Sequence, residues 1–219
     1  MNNPFEILSR GNLEYPKTLV QVGASGGQEI NLFKQVGITS GLFIEALDFP
    51  FSVLCEKVSS IPNFIPFKML VTSKNEQNTT FHVASNSGMS SSILKPKNHL
   101  NIYPDISFSD KITLVGYRLD YLIRELSDKK IINFINIDML YLDVQGAELS
   151  VLKSAGQLLE NITYVWTEVG TGDGYENAAK YTEIINYLDI YGFQMIYFDC
   201  EFEGFGDALF VKKALQKTS

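Results

Sequence analysis

Apolar and polar residues alternate along the chain in the pattern of repeated strand–helix units. A β-branched apolar run at 18–22 leads into a glycine turn at 23–27, and apolar residues then recur at helical spacing up to Val36. A second unit follows, with a strand at 41–46 and a helix at 50–59. Because each strand is followed by a helix, we predict a doubly wound parallel sheet with helices on both faces.

The second half of the chain continues this alternation and ends differently. The predicted elements are strands at 64–71, 139–143 and 162–168, helices at 119–126, 146–160 and about 181–188, and two final strands at 194–199 and 207–212. The last two strands flank the turn-rich segment 201–206 and should pair as an antiparallel hairpin. The pattern therefore predicts an α/β fold with a mostly parallel, seven-stranded sheet and a C-terminal antiparallel hairpin.

Between residues 73 and about 113 the alternation breaks down into a polar stretch. It contains one short predicted strand at 79–84 and then the serine-rich run 85–92. Irregular segments of this length in compact domains are usually lids or binding loops. We therefore expect a single domain over residues 1–219, with the polar insertion at 73–113 covering the acceptor site.

Composition narrows the class of protein. With 219 residues, of which 45% are hydrophobic, the chain can bury one substantial core. No run approaches the roughly eighteen apolar residues that a membrane span requires, and the first ten residues lack the basic and apolar blocks of a secretory signal. We expect a soluble, cytoplasmic protein with no membrane association.

Charge and metal-ligand content exclude further classes. The formal net charge of −7 argues against binding to a nucleic acid backbone, because that binding depends on clustered lysine and arginine. Cys55 and Cys200 are far apart and should be separate thiols. His82 and His99 have neither helical spacing nor a nearby cysteine. We expect no nucleic acid partner, no disulfide and no metal site.

The glycine turn is the first candidate for chemistry. Residues 23–27 read Gly-Ala-Ser-Gly-Gly, and a turn of this kind lets a ligand approach the backbone and the amides of the following helix. Open α/β sheets bind ligands at this carboxyl edge. The turn lacks the Lys-Ser or Lys-Thr pair of a P-loop, and Ser25 and Gln28 stand where a dinucleotide fingerprint has glycine. It is compatible with an adenosyl ligand.

Acidic residues end predicted strands at the same edge of the sheet. Glu45, about twenty residues after the turn, is placed to accept hydrogen bonds from both ribose hydroxyls of an adenosine. Asp143 follows the apolar Leu142 and therefore needs a polar partner or a wet cleft. Glu168 is a third acid at this edge. Glu148, in a first helical turn, is stabilised by the helix dipole whether or not it takes part in chemistry.

Together these motifs resemble the FkbM-type methyltransferase family. The resemblance rests on the stretch Val-Gly-Ala-Ser-Gly-Gly at 22–27, on Glu45 followed by Ala46, and on Asp-Val-Gln-Gly-Ala-Glu at 143–148. It extends through 118–122, 166–168 and 206–211, and so covers nearly the whole chain. Gln21 and Ala46 depart from the pattern, because the family often has Asp and Pro at these positions.

The resemblance implies a class I, Rossmann-like methyltransferase that uses S-adenosylmethionine. The cofactor contacts it implies are Gly23, Ala24, Ser25, Gly26, Gly27, Glu45, Ala46, Thr72, Asp143 and Gln145, with Thr72 in the adenine region. The implied reaction is O-methylation of a hydroxyl on a sugar or small secondary metabolite, without a metal. Candidate bases for that hydroxyl are Asp143, Glu168 and His82, in this order.

Two other functions stay open at this point. An NAD-type oxidoreductase has the same general fold, although the dinucleotide fingerprint is incomplete and the chain shows no obvious Tyr-x-x-x-Lys pair. A methyltransferase-like module that binds ligand without catalysis is the other alternative. The departures at Gln21 and Ala46 permit it, whereas the intact Glu45 and Asp143 disfavour it.

Overall fold

A computed structural model describes residues 3–134, 136–170, 173–202 and 205–213. The strands are β1 (Thr18–Val22), β2 (Ser40–Glu45), β3 (Phe64–Lys68), β4 (Leu70–Val71), β5 (Gln77–Val83), β6 (Asp110–Tyr117), β7 (Met139–Leu142), β8 (Tyr164–Gly170), β9 (Phe193–Phe202) and β10 (Phe205–Lys212). The α-helices are α1 (Pro4–Arg10), α2 (Ile30–Gln35), α3 (Asp48–Val58), α4 (His99–Ile102), α5 (Leu119–Asp128), α6 (Glu148–Ala155) and α7 (Tyr181–Ile190), and a 3-10 helix spans Gly156–Glu160. Across the described ranges no helix is both long and apolar enough to cross a membrane.

Seven of the described strands form the main sheet, in the order β3-β2-β1-β7-β8-β10-β9. Strands β3, β2, β1, β7 and β8 pair in parallel, and β10 pairs antiparallel with both β8 and β9. The predicted sheet and its C-terminal hairpin are confirmed. Residues 203 and 204 of the predicted hairpin turn lie outside the described residues. The strand order reverses between β1 and β7, and ligands of open α/β sheets bind at such a switch point.

The two faces of the sheet bury different helices because successive side chains of a strand point to opposite sides. Val20 and Leu42 pack with residues of α5, α6 and α7 in one core cluster. Leu19 and Phe43 pack with residues of α1, α2 and α3 in the other. The central strands are therefore buried on both faces, which is why they are nearly continuous apolar runs in the sequence.

The polar insertion is more regular than the sequence pattern predicted. Strand β5 pairs antiparallel with β6, and β6 pairs in parallel with β4, so these three form a second, small sheet. The predicted strand at 64–71 is consequently two strands in two sheets. Strand β6 was not predicted, although Ile112, Leu114 and Val115 give it a short apolar stretch; most of the strand is exposed.

Candidate active site

A cavity of about 820 Å³ lies at the carboxyl ends of the central strands. Its volume falls within the usual range for small-molecule sites, roughly 300–1,000 Å³. Gly23, Glu45 and Asp143, which follow or end β1, β2 and β7, lie in one part of its wall, and residues of the polar insertion lie in another. The sheet edge predicted to bind a ligand is thus the floor of a cavity that the insertion covers.

Backbone hydrogen bonds pin the glycine turn between its two neighbouring strands. The amides of Gly23 and Ala24 both donate to the carbonyl oxygen of Ile44, each at 3.0 Å, and the amide of Asp143 donates to Val22 at 3.1 Å. Gly23 has a φ of +82°, in the left-handed region that favours glycine. The turn is therefore a rigid part of the sheet edge.

Glu45 is held by backbone amides at both carboxylate oxygens. Oε2 accepts from the Ser25 amide at 2.9 Å, and Oε1 accepts from the Leu47 amide at 2.8 Å. Burial raises the pKa of Glu45, and hydrogen bonds from the Leu47, Ser25 and Ala46 amides act in the opposite direction. Because each carboxylate oxygen has further lone pairs, Glu45 can still accept hydrogen bonds from a ligand.

Asp143 is an exposed residue that lines the cavity. Desolvation raises its pKa to about 6; the hydrogen bond from Gln145 opposes this, and the charges of Glu29 and Glu45 add to it. An acid in this state changes its protonation close to neutral pH, as a proton acceptor in catalysis must.

Glu168 and Asp207 extend this acidic region across the neighbouring strands. They are cross-strand partners in the antiparallel pairing of β8 with β10. Burial raises the pKa of Asp207 to about 6, with added effects from the charges of Asp143 and Asp199. Burial also raises the pKa of Glu168 well above its ordinary value, assisted by the charges of Asp143, Glu148 and Asp207.

Gln145 connects the two candidate bases to each other. Its Nε2 donates to Asp143 Oδ1 at 2.7 Å and lies 3.3 Å from Glu168 Oε2. The Tyr175 hydroxyl lies 3.2 Å from Gln145 Oε1 and 2.8 Å from the Ser90 carbonyl oxygen, its two alternative acceptors. Gln145, predicted as a cofactor contact, therefore lines the cavity as a link between the carboxylates and the polar insertion.

Glu148 stabilises the turn that carries Asp143 and Gln145. Its Oε1 accepts from the Gly146 amide at 3.1 Å and from the Val144 amide at 3.2 Å. The side chain is buried, and desolvation raises its pKa to about 7. Its place in the sequence motif is therefore explained by the backbone of the turn.

Acidic side chains dominate the charge of the cavity wall. Among the described residues that line it, no lysine or arginine occurs, and the acids are Glu29, Glu45, Asp143, Glu168, Asp199 and Asp207. The described residues also contain no group of three or more His, Cys, Asp or Glu arranged to hold a metal ion. Such a wall favours a cationic or uncharged ligand over an anionic one.

The structure places only part of the predicted site on the cavity wall. Lining positions are Gly23, Ser25, Glu45, Ala46, Asp143, Gln145 and Glu168, whereas Ala24, Gly26, Gly27, Thr72 and His82 are not among them. Ala24 and Gly27 are buried within the turn. Thr72 is buried, and its hydroxyl donates to the Lys74 carbonyl oxygen at 2.8 Å. Met69, Leu70 and Val71, which immediately precede Thr72, line the cavity.

The predicted base His82 faces away from the cavity. Phe81, its neighbour in β5, lines the cavity, and side chains of adjacent strand residues point to opposite faces. His99 lines the cavity instead; it is 3% exposed, and its Nδ1 is buried without a hydrogen-bond partner among the described residues. Its ring packs 5.0 Å from Tyr103 and 5.3 Å from Tyr175, between centroids.

Sequence reasoning missed three further acids on the wall, Glu29, Asp199 and Asp207. Asp207 could have been found from the register of β10, which pairs it with Asp199 in the hairpin and with Glu168 on β8 and so brings acids together. No pattern in the sequence marks Glu29 as different from an ordinary helix-start acid.

The comparison with protein families decides the identity of the chain. The model of the Methyltransferase FkbM domain matches residues 10–195. The chain belongs to this family. The family depends on S-adenosylmethionine, so this FkbM protein is an S-adenosylmethionine-dependent methyltransferase. A curated relative, the 2-O-methyltransferase NoeI of Sinorhizobium fredii (strain NBRC 101917 / NGR234), is 26% identical over 184 residues, which cover 80% of this chain and 73% of the relative.

Solved structures share the class I fold of this FkbM methyltransferase at low sequence identity. Aeropyrum pernix fibrillarin with natively bound S-adenosyl-L-methionine has a TM-score of 0.51 and 14% identity, covering 93% of this chain and 72% of that one. The ribosomal protein L11 methylase of Lactobacillus delbrueckii subsp. bulgaricus has a TM-score of 0.50 and 13% identity, covering 95% and 76%. These similarities confirm the predicted Rossmann-like fold.

Proposed function

We propose that this FkbM methyltransferase methylates a hydroxyl oxygen of a sugar or similar small secondary metabolite. The observation that carries the proposal is the position of Asp143, between the cofactor side of the cavity at Gly23 and Glu45 and an acidic, aromatic side at Glu168 and Trp166. The S. fredii relative, named a 2-O-methyltransferase, supports oxygen as the atom that is methylated.

The cofactor side of the cavity has a partner for each end of an adenosyl ligand. Glu45 has free lone pairs on a carboxylate that two amides hold in place, which suits the ribose hydroxyls. Met69, Leu70 and Val71 supply an apolar surface for the adenine ring. Gly23, Ser25 and Glu29 line the part of the cavity that remains for the amino acid end.

The other side of the cavity suits a polyol without negative charge. Carboxylates such as Asp143 and Glu168 accept hydrogen bonds from hydroxyl groups, and the exposed ring of Tyr103 offers an apolar face to a sugar ring. An anionic acceptor would have to lie among acids with no cationic side chain in the described wall. A neutral or cationic acceptor meets no such penalty.

The reaction needs the acceptor oxygen to be aligned with the methyl carbon, and it needs a group that accepts the hydroxyl proton. Bound S-adenosylmethionine supplies a methyl carbon that the acceptor oxygen attacks as the carbon–sulfur bond breaks and its electron pair stays on sulfur. Holding the acceptor in line can contribute roughly 7–11 kcal/mol. Asp143 takes the hydroxyl proton, with Glu168 as the alternative acceptor, and a positioned base adds on the order of 10²–10⁴-fold.

Thermal shift and methyl transfer together test the proposal. S-adenosylhomocysteine at 100 times its dissociation constant should stabilise the protein by about 2.7 kcal/mol, or roughly 5–11 °C, whereas NAD should give no shift. Release of S-adenosylhomocysteine is then measured with neutral glycosides and with sugar phosphates. Turnover of neutral glycosides is expected. A thermal shift with S-adenosylhomocysteine but without turnover of any hydroxyl acceptor would favour the non-catalytic module. A thermal shift with NAD alone would favour the oxidoreductase.

Asp143→Asn separates binding from chemistry. The variant keeps the size of the side chain and should bind S-adenosylhomocysteine while losing about 10²–10⁴-fold in turnover. Full turnover in this variant would remove Asp143 as the base and leave Glu168 to be tested in the same way.

A further inference from the structure

One cavity acid is held by a side chain from the centre of the sheet. Glu29 immediately precedes α2 and lines the cavity together with Gly23 and Ser25. The Gln21 side chain, from β1, donates from Nε2 to Glu29 Oε2 at 3.0 Å. Glu29 is therefore an oriented carboxylate on the cofactor side of the cavity.

Gln21 is an unusual residue for its position. It is 1% exposed, and its register partners on the two flanking strands are Phe43 and Tyr141. Its Oε1 is buried and has no hydrogen-bond partner among the described residues. The amide cannot be reversed, because its oxygen would then face the Glu29 carboxylate. The interaction that accounts for a buried amide here is its hydrogen bond to Glu29.

Glu29 has no cationic partner within the described part of the chain, where it forms no ion pair. The Lys57 ammonium lies near the same turn, but it donates to the Gly27 carbonyl oxygen at 2.7 Å. A carboxylate with one oxygen held by an amide, and with no cation, suits a ligand that carries several hydrogen-bond donors and a positive charge.

We propose that Glu29 binds the α-ammonium group of S-adenosylmethionine and that Gln21 positions it. The inference rests on the proposed function in taking this ligand for the cavity. An ammonium group has three donors and no acceptor, and Glu29 can meet it with a charge-assisted hydrogen bond. Gln21 is uncharged, so the negative charge of this pair is carried by Glu29, eight residues later.

Two ligands that differ at this group provide the test. S-adenosylhomocysteine has the amino acid end, whereas 5′-methylthioadenosine lacks it and keeps the adenosine and sulfur. In isothermal titration, Glu29→Gln should raise the dissociation constant of S-adenosylhomocysteine by roughly 10- to 100-fold. The dissociation constant of 5′-methylthioadenosine should stay within about twofold of the native value. The proposal would be overturned if the binding of both ligands weakened equally, or if the binding of S-adenosylhomocysteine did not weaken.

A matched control and a positioning variant complete the experiment. Glu56→Gln removes the same charge from an exposed position of α3 and should bind both ligands as the native protein does. Gln21→Leu removes the amide that holds Glu29. It should weaken the binding of S-adenosylhomocysteine but not of 5′-methylthioadenosine, and the loss should be smaller than in Glu29→Gln. If the native protein binds neither ligand, the proposed function fails as well; if it binds both and Glu29→Gln behaves identically, only this inference fails.

Discussion

The backbone of Gly23 packs so closely against the carbonyl group of Asp143 that a Cβ atom at residue 23 would overlap the carbonyl oxygen. The Val144 side chain lies close on the same side. The carboxyl ends of β1 and β7 are therefore joined backbone to backbone, and the floor of the cavity has no room for a side chain between the glycine turn and the candidate base.

Gly23→Ala should unfold more easily than a matched glycine variant elsewhere. Gly192 has a φ of +75°, close to the +82° of Gly23, but open space lies where its Cβ would be. Gly192→Ala should therefore lower the free energy of unfolding only by the backbone strain, about 1–2 kcal/mol. Gly23→Ala adds a steric clash and should show a larger fall in melting temperature and lose S-adenosylhomocysteine binding. Equal falls in both variants would contradict the close packing.

Glu45→Gln should weaken cofactor binding by roughly tenfold or more. The variant removes the charge and places an amide NH₂ group against either the Ser25 or the Leu47 amide, both of which donate to the carboxylate. Calorimetric titration with S-adenosylhomocysteine measures the change, with Glu56→Gln as the charge-matched control. An unchanged dissociation constant would show that Glu45 only supports the turn.

Buried acids should contribute more to the stability of the unliganded protein as the pH falls from about 8 to 5, whereas His82 and His99, whose pKa values burial lowers, oppose this trend. The pKa of Glu148 is about 7 in the folded state against an ordinary value of 4.5, so between these values the folded state binds more protons than the unfolded state. The free energy of unfolding therefore decreases as the pH rises through this window. Asp143 and Asp207, with pKa values of about 6, act in the same direction.

Glu148→Gln isolates one of these contributions. The variant keeps an oxygen that can accept from the Val144 and Gly146 amides but cannot ionise. Melting temperatures measured at pH 5, 6, 7 and 8 should depend less on pH in the variant than in the native protein. A pH dependence as steep as that of the native protein would show that Glu148 is not the group that titrates.

The two histidines should differ in their effect on methyl transfer. His99 lines the cavity, whereas His82 faces away from it. With a neutral glycoside that the enzyme methylates, His99→Phe should lower kcat/KM by about tenfold or more, because the ring packing is kept and the nitrogens are lost. His82→Phe should stay within about twofold of the native value. The reverse order of effects would restore His82 as the candidate base.

The central sheet and its ligand-binding edge could be predicted from local sequence patterns. Strands buried on both faces, such as β1 and β7, are apolar almost without interruption, and glycine marks the turn that follows β1. Glu45 and Asp143 could be assigned to one site although they are distant in the chain, because the carboxyl ends of parallel strands meet at one edge of the sheet.

The elements that were missed have weak or ambiguous patterns. Strand β6 is mostly exposed, and α1 is only seven residues long, so neither has a long apolar repeat. The resemblance implied a cofactor contact at Thr72, but its hydroxyl donates to the Lys74 carbonyl oxygen, and Thr72 is not among the residues that line the cavity. For such residues the direction of the side chain depends on which strand they pair with.

Periodicity and residue type identify which segments are strands and which strand ends carry acids, because both are properties of neighbours in the chain. The contact of Gln21 with Glu29, the pairing of Glu168 with Asp207 and the choice of His99 over His82 depend instead on register and on how the insertion docks. A shift of one residue in register reverses the face of every side chain, and many sequences tolerate either register locally. Only the packing of the whole chain selects a single register.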